Sequence, residues 1–138
     1  MKPVLLDTGV IVALLDHSER HHQDCADCVL ALERPLITCE AVIVESCYIL
    51  RGLRGAAEAV IENVAAGIFQ LPFNLSREAS ALKQYLRKYR DRRIDLADAC
   101  LIRLAEEFET ADILTLDTDF QVYRWGKNKT FRNLLDLG

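Results

Sequence analysis

One aspartate in the second half of the chain interrupts an apolar helical pattern. Asp98 is followed by Leu101, Ile102 and Ala105, and this spacing is typical of the buried face of a helix. The Asp98 carboxylate is therefore predicted to point inward. Burying an unpaired charge costs free energy, so an acid at this position needs a partner or a chemical role.

A glutamate interrupts a second helical pattern in the same way. Val42, Glu45, Tyr48 and Ile49 are predicted to share one helical face, with the acid inside the apolar stripe. Helix capping does not explain a glutamate in the middle of such a stripe. Two acids that face one core, Glu45 and Asp98, indicate that a cation lies between them.

Further acids follow short apolar runs of the kind found in buried parallel strands. Asp7 comes directly after residues 4–6, and Asp117 comes directly after residues 112–116, with Asp119 two positions later. The carboxyl ends of parallel strands meet at one edge of a sheet, which is where such folds place their sites. We therefore expect these acids to converge with the two helical ones.

The candidate site offers carboxylate oxygens alone, without histidine or cysteine. Oxygen ligands suit a hard cation such as Mg²⁺ or Mn²⁺, which keeps water ligands for a substrate phosphate. Such a cation can orient or deprotonate an attacking water and neutralise phosphodiester oxygens. The acids therefore indicate metal-dependent phosphodiester hydrolysis, with either one ion or two.

Helix capping is a second explanation for most of these acids. Asp7 and Asp119 could each cap a helix that follows them. Asp95 and Asp98 have the spacing of an N-cap residue and its N3 partner, and for Asp95 capping is the better explanation. If Asp119 is a cap, Asp117 is the better ligand candidate. The metal-site interpretation would be rejected only if capping explained all of these acids at once.

The composition is that of one folded domain. The chain has 138 residues, of which 51% are hydrophobic and 28% charged, so we expect a single domain over residues 1–138. The net charge of −4 provides no general attraction for nucleic acid, although a local patch could. Five cysteines in mostly apolar patterns argue against a disulfide framework, and no apolar run is long enough to span a membrane. We expect a soluble, cytoplasmic protein.

Strands and helices alternate along most of the chain. The predicted strands cover residues 4–6, 36–38, 68–71, 112–116 and a short segment near 130–131. The predicted helices cover residues 8–15, 21–32, a segment around Glu45 that ends near Gly52, 55–66, 76–89, 95–107 and a last turn after Asp119. This alternation predicts an α/β fold, a three-layer α/β/α sandwich around a mostly parallel sheet of four to five strands.

Four motifs together resemble the PIN domain family. They are Leu-Leu-Asp-Thr at residues 5–8, Ala-Val-Ile-Val-Glu-Ser-Cys-Tyr-Ile-Leu at 41–50, Asp-Leu-Ala-Asp-Ala at 95–99 and Leu-Thr-Leu-Asp-Thr-Asp-Phe at 114–120. More narrowly, they are similar to the VapC-type toxin ribonucleases of bacterial toxin–antitoxin pairs. Each motif alone is weak, but their order and spacing match across nearly the whole chain.

The resemblance implies an Mg²⁺- or Mn²⁺-dependent endoribonuclease, usually dimeric and inhibited by a small antitoxin protein. The acidic quartet of the family corresponds to Asp7, Glu45, Asp98 and Asp117. Its hydroxyl positions near the metal correspond to Thr8 and Thr115. Many relatives place their last two acids three residues apart, whereas Asp117 and Asp119 are two apart, so either could be the fourth acid.

Basic residues cluster near the end of the fifth predicted helix, interleaved with Tyr85 and Tyr89. They comprise Lys83, Arg87, Lys88, Arg90, Arg92 and Arg93. One interpretation is contact with RNA, for which the candidates are Arg87, Lys88, Arg92 and Arg93. The other is a solvated helix end whose cations favour the helix dipole.

Other interpretations of the sequence fit less well. His21, His22, Cys25 and Cys28 could suggest zinc, but ligands on one side of a helix cannot complete a tetrahedron, which favours an ordinary core face. A receiver domain needs paired acids after its first strand, and an aspartyl-phosphate phosphatase needs Asp-x-Asp where this chain has Asp-Thr-Gly. The remaining alternative is a catalytically silent PIN-like module that binds RNA or protein and needs no metal.

Overall fold

Short segments, most of them apolar, form the central sheet in the computed structural model, which describes residues 1–135. The strands are β1 (Val4–Leu6), β2 (Leu36–Ile37), β3 (Phe69–Gln70), β4 (Asp112–Leu114), β5 (Arg124–Trp125), β6 (Lys129–Thr130) and β7 (Arg132–Asn133). Five of them form a parallel sheet in the order β3-β2-β1-β4-β7. The three residues of β1, at its centre, are fully buried, as a strand covered on both faces requires.

Helices connect these strands and cover the sheet. Within residues 1–135 they are α1 (Thr8–Leu15), α2 (His22–Ala31), α3 (Glu40–Ile49), α4 (Ala56–Ala65), α5 (Leu75–Lys88) and α6 (Leu96–Phe108). Helix α1 packs against α2, α3 and α4, whereas α5 packs against α6, which also contacts β1. The predicted α/β/α sandwich around a mostly parallel sheet is confirmed.

Helix α6 is the most deeply buried helix that positions the acids. Leu101, Ile102 and Ala105 are fully buried, and Asp98 is only 8% exposed. The inward orientation predicted for Asp98 is therefore confirmed. Asp95 caps this helix by accepting a hydrogen bond from the backbone N–H of Asp98 at 2.9 Å, as its spacing predicted.

The predicted apolar stripe on α3 is wrong. Tyr48 and Ile49 are exposed, and the buried face of the helix consists instead of Val42, Ile43, Ser46 and, just after it, Leu50. Each residue advances about 100° around the helix axis, so residues three positions apart differ in direction by about 60°. A series of such steps therefore leaves the face on which it began. The true face follows steps of four from Val42, which leaves Glu45 at its partly exposed border.

The end of the chain also differs from the prediction. The strand expected near residues 130–131 is replaced by β6 and β7 on either side of Phe131, and only β7 joins the central sheet. Strands β5 and β6 form an antiparallel hairpin that the sequence pattern did not indicate. In the part of the chain described, no helix combines the length and apolar character needed to cross a bilayer, and all five cysteines are free.

Candidate metal centre

Three acids from distant parts of the chain meet at the carboxyl edge of the sheet. Asp7 follows β1, Asp117 follows β4, and Asp98 lies in the first turn of α6. One carboxylate oxygen from each lies within 4.8 Å of those from the other two. This acidic triad is close enough for a single cation to bind all three carboxylates.

Two glutamates line the same cleft outside the triad. Glu45 reaches it from α3, as the sequence predicted, but does not belong to the tight cluster. Glu19 reaches it from the loop between α1 and α2 and was missed by the sequence analysis. A polar loop has no periodicity that could have singled it out. Asp95 also borders the cleft while capping α6.

Hydrogen bonds from uncharged donors fix the Asp7 carboxylate. The backbone N–H of Thr8 donates to Oδ1 at 2.8 Å, and the Thr115 hydroxyl donates to Oδ2 at 2.6 Å. The same Thr115 oxygen accepts from the backbone N–H of Asp117 at 2.9 Å. Asp7 is thus both the N-cap of α1 and a triad member, so the capping and metal explanations do not exclude each other.

The other two triad acids also accept hydrogen bonds from uncharged donors. The Tyr123 hydroxyl donates to Oδ2 of Asp98 at 3.3 Å. The backbone N–H of Asp119 donates to Oδ1 of Asp117 at 2.9 Å. Tyr123 has no regular spacing to the acids, and no sequence pattern indicated its role.

Asp119 turns away from the triad. Its Oδ1 pairs with Nη1 of Arg92 at 2.8 Å, at a position where both side chains are partly exposed. Of the two acids that the sequence left open, Asp117 therefore lies in the cluster and Asp119 does not. The ion pair also brings one cation of the predicted basic patch to the segment that follows Asp117.

The triad is electrostatically unfavourable without a cation. Within residues 1–135, none of its carboxylates forms a salt bridge with a basic side chain. Burial raises the pKa of Asp7 to about 6, despite the hydrogen bonds from Thr115 and Thr8. Burial, and then repulsion from the neighbouring acids, raises the pKa of Asp98 to about 8. A bound cation would relieve this repulsion.

An unpaired hydroxyl gives a second indication that the cleft binds something. Thr8 Oγ1 is buried and has no hydrogen-bond partner in the described structure, although Thr8 lines the cleft beside the triad. A buried hydroxyl without a partner is costly, and water held by a cation would satisfy it. The oxygen-rich triad and this hydroxyl both fit a hard divalent cation and its waters.

The remaining candidates lie apart from the triad. Arg87, Lys88, Arg92 and Arg93 are exposed, as either interpretation of the basic patch requires. In the histidine and cysteine cluster, His22 Nδ1 hydrogen-bonds the Ala13 carbonyl oxygen and Cys25 is buried in the core. Within residues 1–135 that cluster does not converge as a metal site.

Comparison with known proteins identifies the family. The PIN domain model matches residues 4–126. The chain belongs to the PIN domain family. It is 30% identical to the ribonuclease VapC26 of Mycobacterium tuberculosis over 116 residues, which cover 83% of this chain and 86% of that protein.

A solved structure has the same fold. The crystal structure of VapC20 from Mycobacterium tuberculosis, described as a toxin that cleaves the sarcin-ricin loop, superposes with a TM-score of 0.80. The superposition covers 91% of this chain and 98% of VapC20, at 16% sequence identity. Nearly the whole chain therefore shares its fold with VapC20.

Proposed function

We propose that this PIN domain is a metal-dependent endoribonuclease that hydrolyses RNA phosphodiester bonds. The observation that carries the proposal is a triad of carboxylates, two buried and one partly buried, without a basic partner among the described residues. A purely structural cluster of acids would be expected to include a basic partner, because repulsion among desolvated acids destabilises the fold. Membership of the PIN domain family and the similarity to a ribonuclease support the same activity.

The chain's own residues have distinct proposed roles. Asp7, Asp98 and Asp117 would hold the cation, and Glu45 would act from the cleft wall on water in the site. Thr8 Oγ1 would hydrogen-bond a water in the cleft, and Thr115 fixes Asp7. Mg²⁺ or Mn²⁺ would, when bound, activate water and neutralise the phosphodiester oxygens. Asp119 has no proposed role as a ligand, because it is paired with Arg92.

RNA would approach the acidic cleft past the basic patch. Arg92 pairs with Asp119, which lies two residues after Asp117 of the triad. Arg87, Lys88 and Arg93 are exposed and lie close to Arg92 in the sequence. Cationic side chains that contact phosphates make RNA binding dependent on salt. An acidic cleft needs such a patch, since the triad itself repels RNA in the absence of a metal.

The decisive experiment is RNA cleavage by the purified chain, freed from any bound partner protein. We expect cleavage of a transcribed RNA with Mg²⁺ or Mn²⁺, and none after EDTA treatment. Asp7→Asn should be inactive, whereas Glu62→Gln, an exposed acid on α4 away from the cleft, should cleave like wild type. Cleavage that continues unchanged in EDTA would contradict the metal mechanism. A folded chain that neither binds metal nor cuts RNA would support the silent module instead.

We further propose a cytoplasmic toxin that forms a homodimer and is inhibited by a small antitoxin with a basic tail. Helix α3 exposes Val44, Tyr48 and Ile49 beside the cleft, and clustered apolar surface of this kind favours a protein partner. The acidic cleft would attract an inserted arginine or lysine. Light scattering that shows only monomers at micromolar concentration would contradict the dimer. An adjacent gene product that fails to bind would contradict the antitoxin.

A further inference from the structure

One short segment supplies an uncharged hydrogen-bond donor to every acid of the triad. The Thr115 hydroxyl donates to Asp7, the backbone N–H of Asp119 donates to Asp117, and the Tyr123 hydroxyl donates to Asp98. All three donors lie within residues 115–123, which begin just after β4 and include the 3-10 turn Thr118–Gln121. The orientation of the triad therefore depends on the conformation of this segment.

The side chain of Tyr123 is held by aromatic packing. It is fully buried, and its ring makes edge contacts with Tyr89 at 4.9 Å and with Phe120 at 5.1 Å between centroids. Its backbone N–H donates to the Asp119 carbonyl oxygen at 3.0 Å, which ties it to the 3-10 turn. A buried phenol needs a hydrogen-bond partner, and the partner here is Oδ2 of Asp98.

We propose that Tyr123 is a positioning residue for metal binding, and this rests on the metal site proposed above. The hydroxyl holds Oδ2 of Asp98 and leaves Oδ1 available to a cation shared with Asp7 and Asp117. Without this hydrogen bond the carboxylate would rotate, because the terminal torsion of aspartate has broad minima. Tyr123 thus orients the carboxylate before the cation arrives.

The choice of a phenol also preserves the charge of the site. An arginine or lysine at this place would orient Asp98 equally well but would neutralise the charge that attracts the cation. A phenol orients the carboxylate and stays neutral. Groups that orient ligands in this way commonly account for a 10- to 100-fold effect on metal affinity, so we expect a change of about 10-fold when the hydroxyl is removed.

The chain contains a matched control for this effect. Tyr89 belongs to the same aromatic cluster and is 9% exposed, but its hydroxyl accepts a hydrogen bond from the backbone N–H of Arg124 at 2.9 Å and touches no triad acid. Tyr123→Phe and Tyr89→Phe each remove one buried hydroxyl and keep the ring. Their structural costs should be similar, whereas only the first should weaken the metal site.

The test measures Mn²⁺ binding to the full chain by electron paramagnetic resonance of the free ion, with thermal melts as a folding check. Tyr123→Phe should raise the Kd for Mn²⁺ about 10-fold, and Tyr89→Phe should stay within about twofold of wild type. The Mn²⁺ concentration for half-maximal RNA cleavage should shift in the same proportion.

Two results would overturn the role of Tyr123 and leave the metal site intact. One is a wild-type Kd in Tyr123→Phe, and the other is an equal weakening in Tyr89→Phe, which would indicate loss of packing. Failure of the wild-type chain to bind Mn²⁺ would be a different result, since it would overturn the metal site itself and the role of Tyr123 with it.

Discussion

The two edges of the central sheet bury aspartates in opposite electrostatic settings. At the amino edge, Asp112 begins β4 and is 8% exposed, with Arg34 at 2.6 Å and Arg132 at 2.7 Å. At the carboxyl edge, Asp7 is 6% exposed, and its donors within residues 1–135 are the uncharged groups of Thr8 and Thr115. The hydrogen bonds from Arg132, followed by those from Arg34, lower the pKa of Asp112, whereas burial raises that of Asp7.

Asp7 and Asp112 are therefore similarly buried but have different roles. The charge of a buried acid with two guanidinium partners is compensated within the chain and needs no ligand. A buried acid beside other acids, with uncharged donors alone, keeps its charge available for a ligand and does so at a cost in stability. Among residues 1–135, the lack of a basic side chain beside the acids, more than their burial, distinguishes the candidate site from the structural ion pair.

The largest expected effect follows from removing one charge of the triad. Asp98→Asn should reduce RNA cleavage by roughly 100-fold or more, the scale seen when one preorganised charge-stabilising group is lost. The metal-free protein should be equally stable or more stable, by on the order of 0.5–2 kcal/mol, because repulsion is relieved. Cleavage assays and thermal melts of the same preparations test both statements. An active and less stable variant would mean that Asp98 only supports the first turn of α6.

The corresponding substitution at the amino edge should lower stability and leave RNA cleavage unchanged. Asp112→Asn leaves Arg34 and Arg132 without their carboxylate and should lower stability by roughly 1–3 kcal/mol. The loss is smaller than for a fully buried pair, because the Arg132 side chain is 68% exposed. RNA cleavage at a temperature where the variant is folded should be unchanged. Denaturant unfolding measures the loss, and a neutral result would mean that the ion pairs contribute little.

The two edges should also respond to pH with opposite signs. The raised pKa values of Asp7 and Asp98 mean that the folded metal-free state binds more protons than the unfolded chain between about pH 4 and pH 8. Their contribution to stability is therefore lost as pH rises through this window. The lowered pKa of Asp112 works in the other direction, so its contribution is present above about pH 4 and is lost in stronger acid.

Unfolding at several pH values isolates the contribution of the triad. The stability gain of Asp98→Asn over wild type should grow by on the order of 1–2 kcal/mol between pH 5 and pH 8.5 in EDTA. Below about pH 4 the Asp98 carboxyl is protonated in both the folded and the unfolded wild-type chain, so the two proteins should differ least there. A gain that does not depend on pH would mean that relief of charge repulsion is not its cause.

The sequence contained enough information to locate the acids at the carboxyl edge. Asp7 and Asp117 follow predicted parallel strands, and the direction of such strands determines where their ends meet. Asp98 was recognisable because the helix around it is strongly periodic. These features depend on local patterns combined with one rule of topology, so a single sequence could predict them.

Other features depended on contacts that no local pattern encodes. Tyr123 reaches Asp98 across 25 positions of the chain, from a segment just beyond a 3-10 turn that has no regular repeat. Glu19 lies in a polar loop, where an acid is unremarkable. The face of α3 was misjudged because Tyr48 and Ile49 are apolar yet exposed, and no local pattern distinguishes an exposed apolar residue from a buried one.

The smallest expected effect distinguishes the two acids that follow β4. Asp117→Asn removes a triad charge and should abolish cleavage. Asp119→Asn should keep cleavage within about threefold of wild type, because the Asp119 side chain faces Arg92. An asparagine at position 119 also retains the backbone N–H that holds Asp117. Stability should change by less than about 1 kcal/mol, since the Arg92 and Asp119 side chains are 44% and 36% exposed and surface ion pairs contribute little. Parallel cleavage assays at low and high salt provide the measurement, since a freed Arg92 could alter RNA affinity without altering metal affinity. Equal inactivation of both variants would indicate that Asp119 is a metal ligand and that its ion pair with Arg92 breaks when the metal binds.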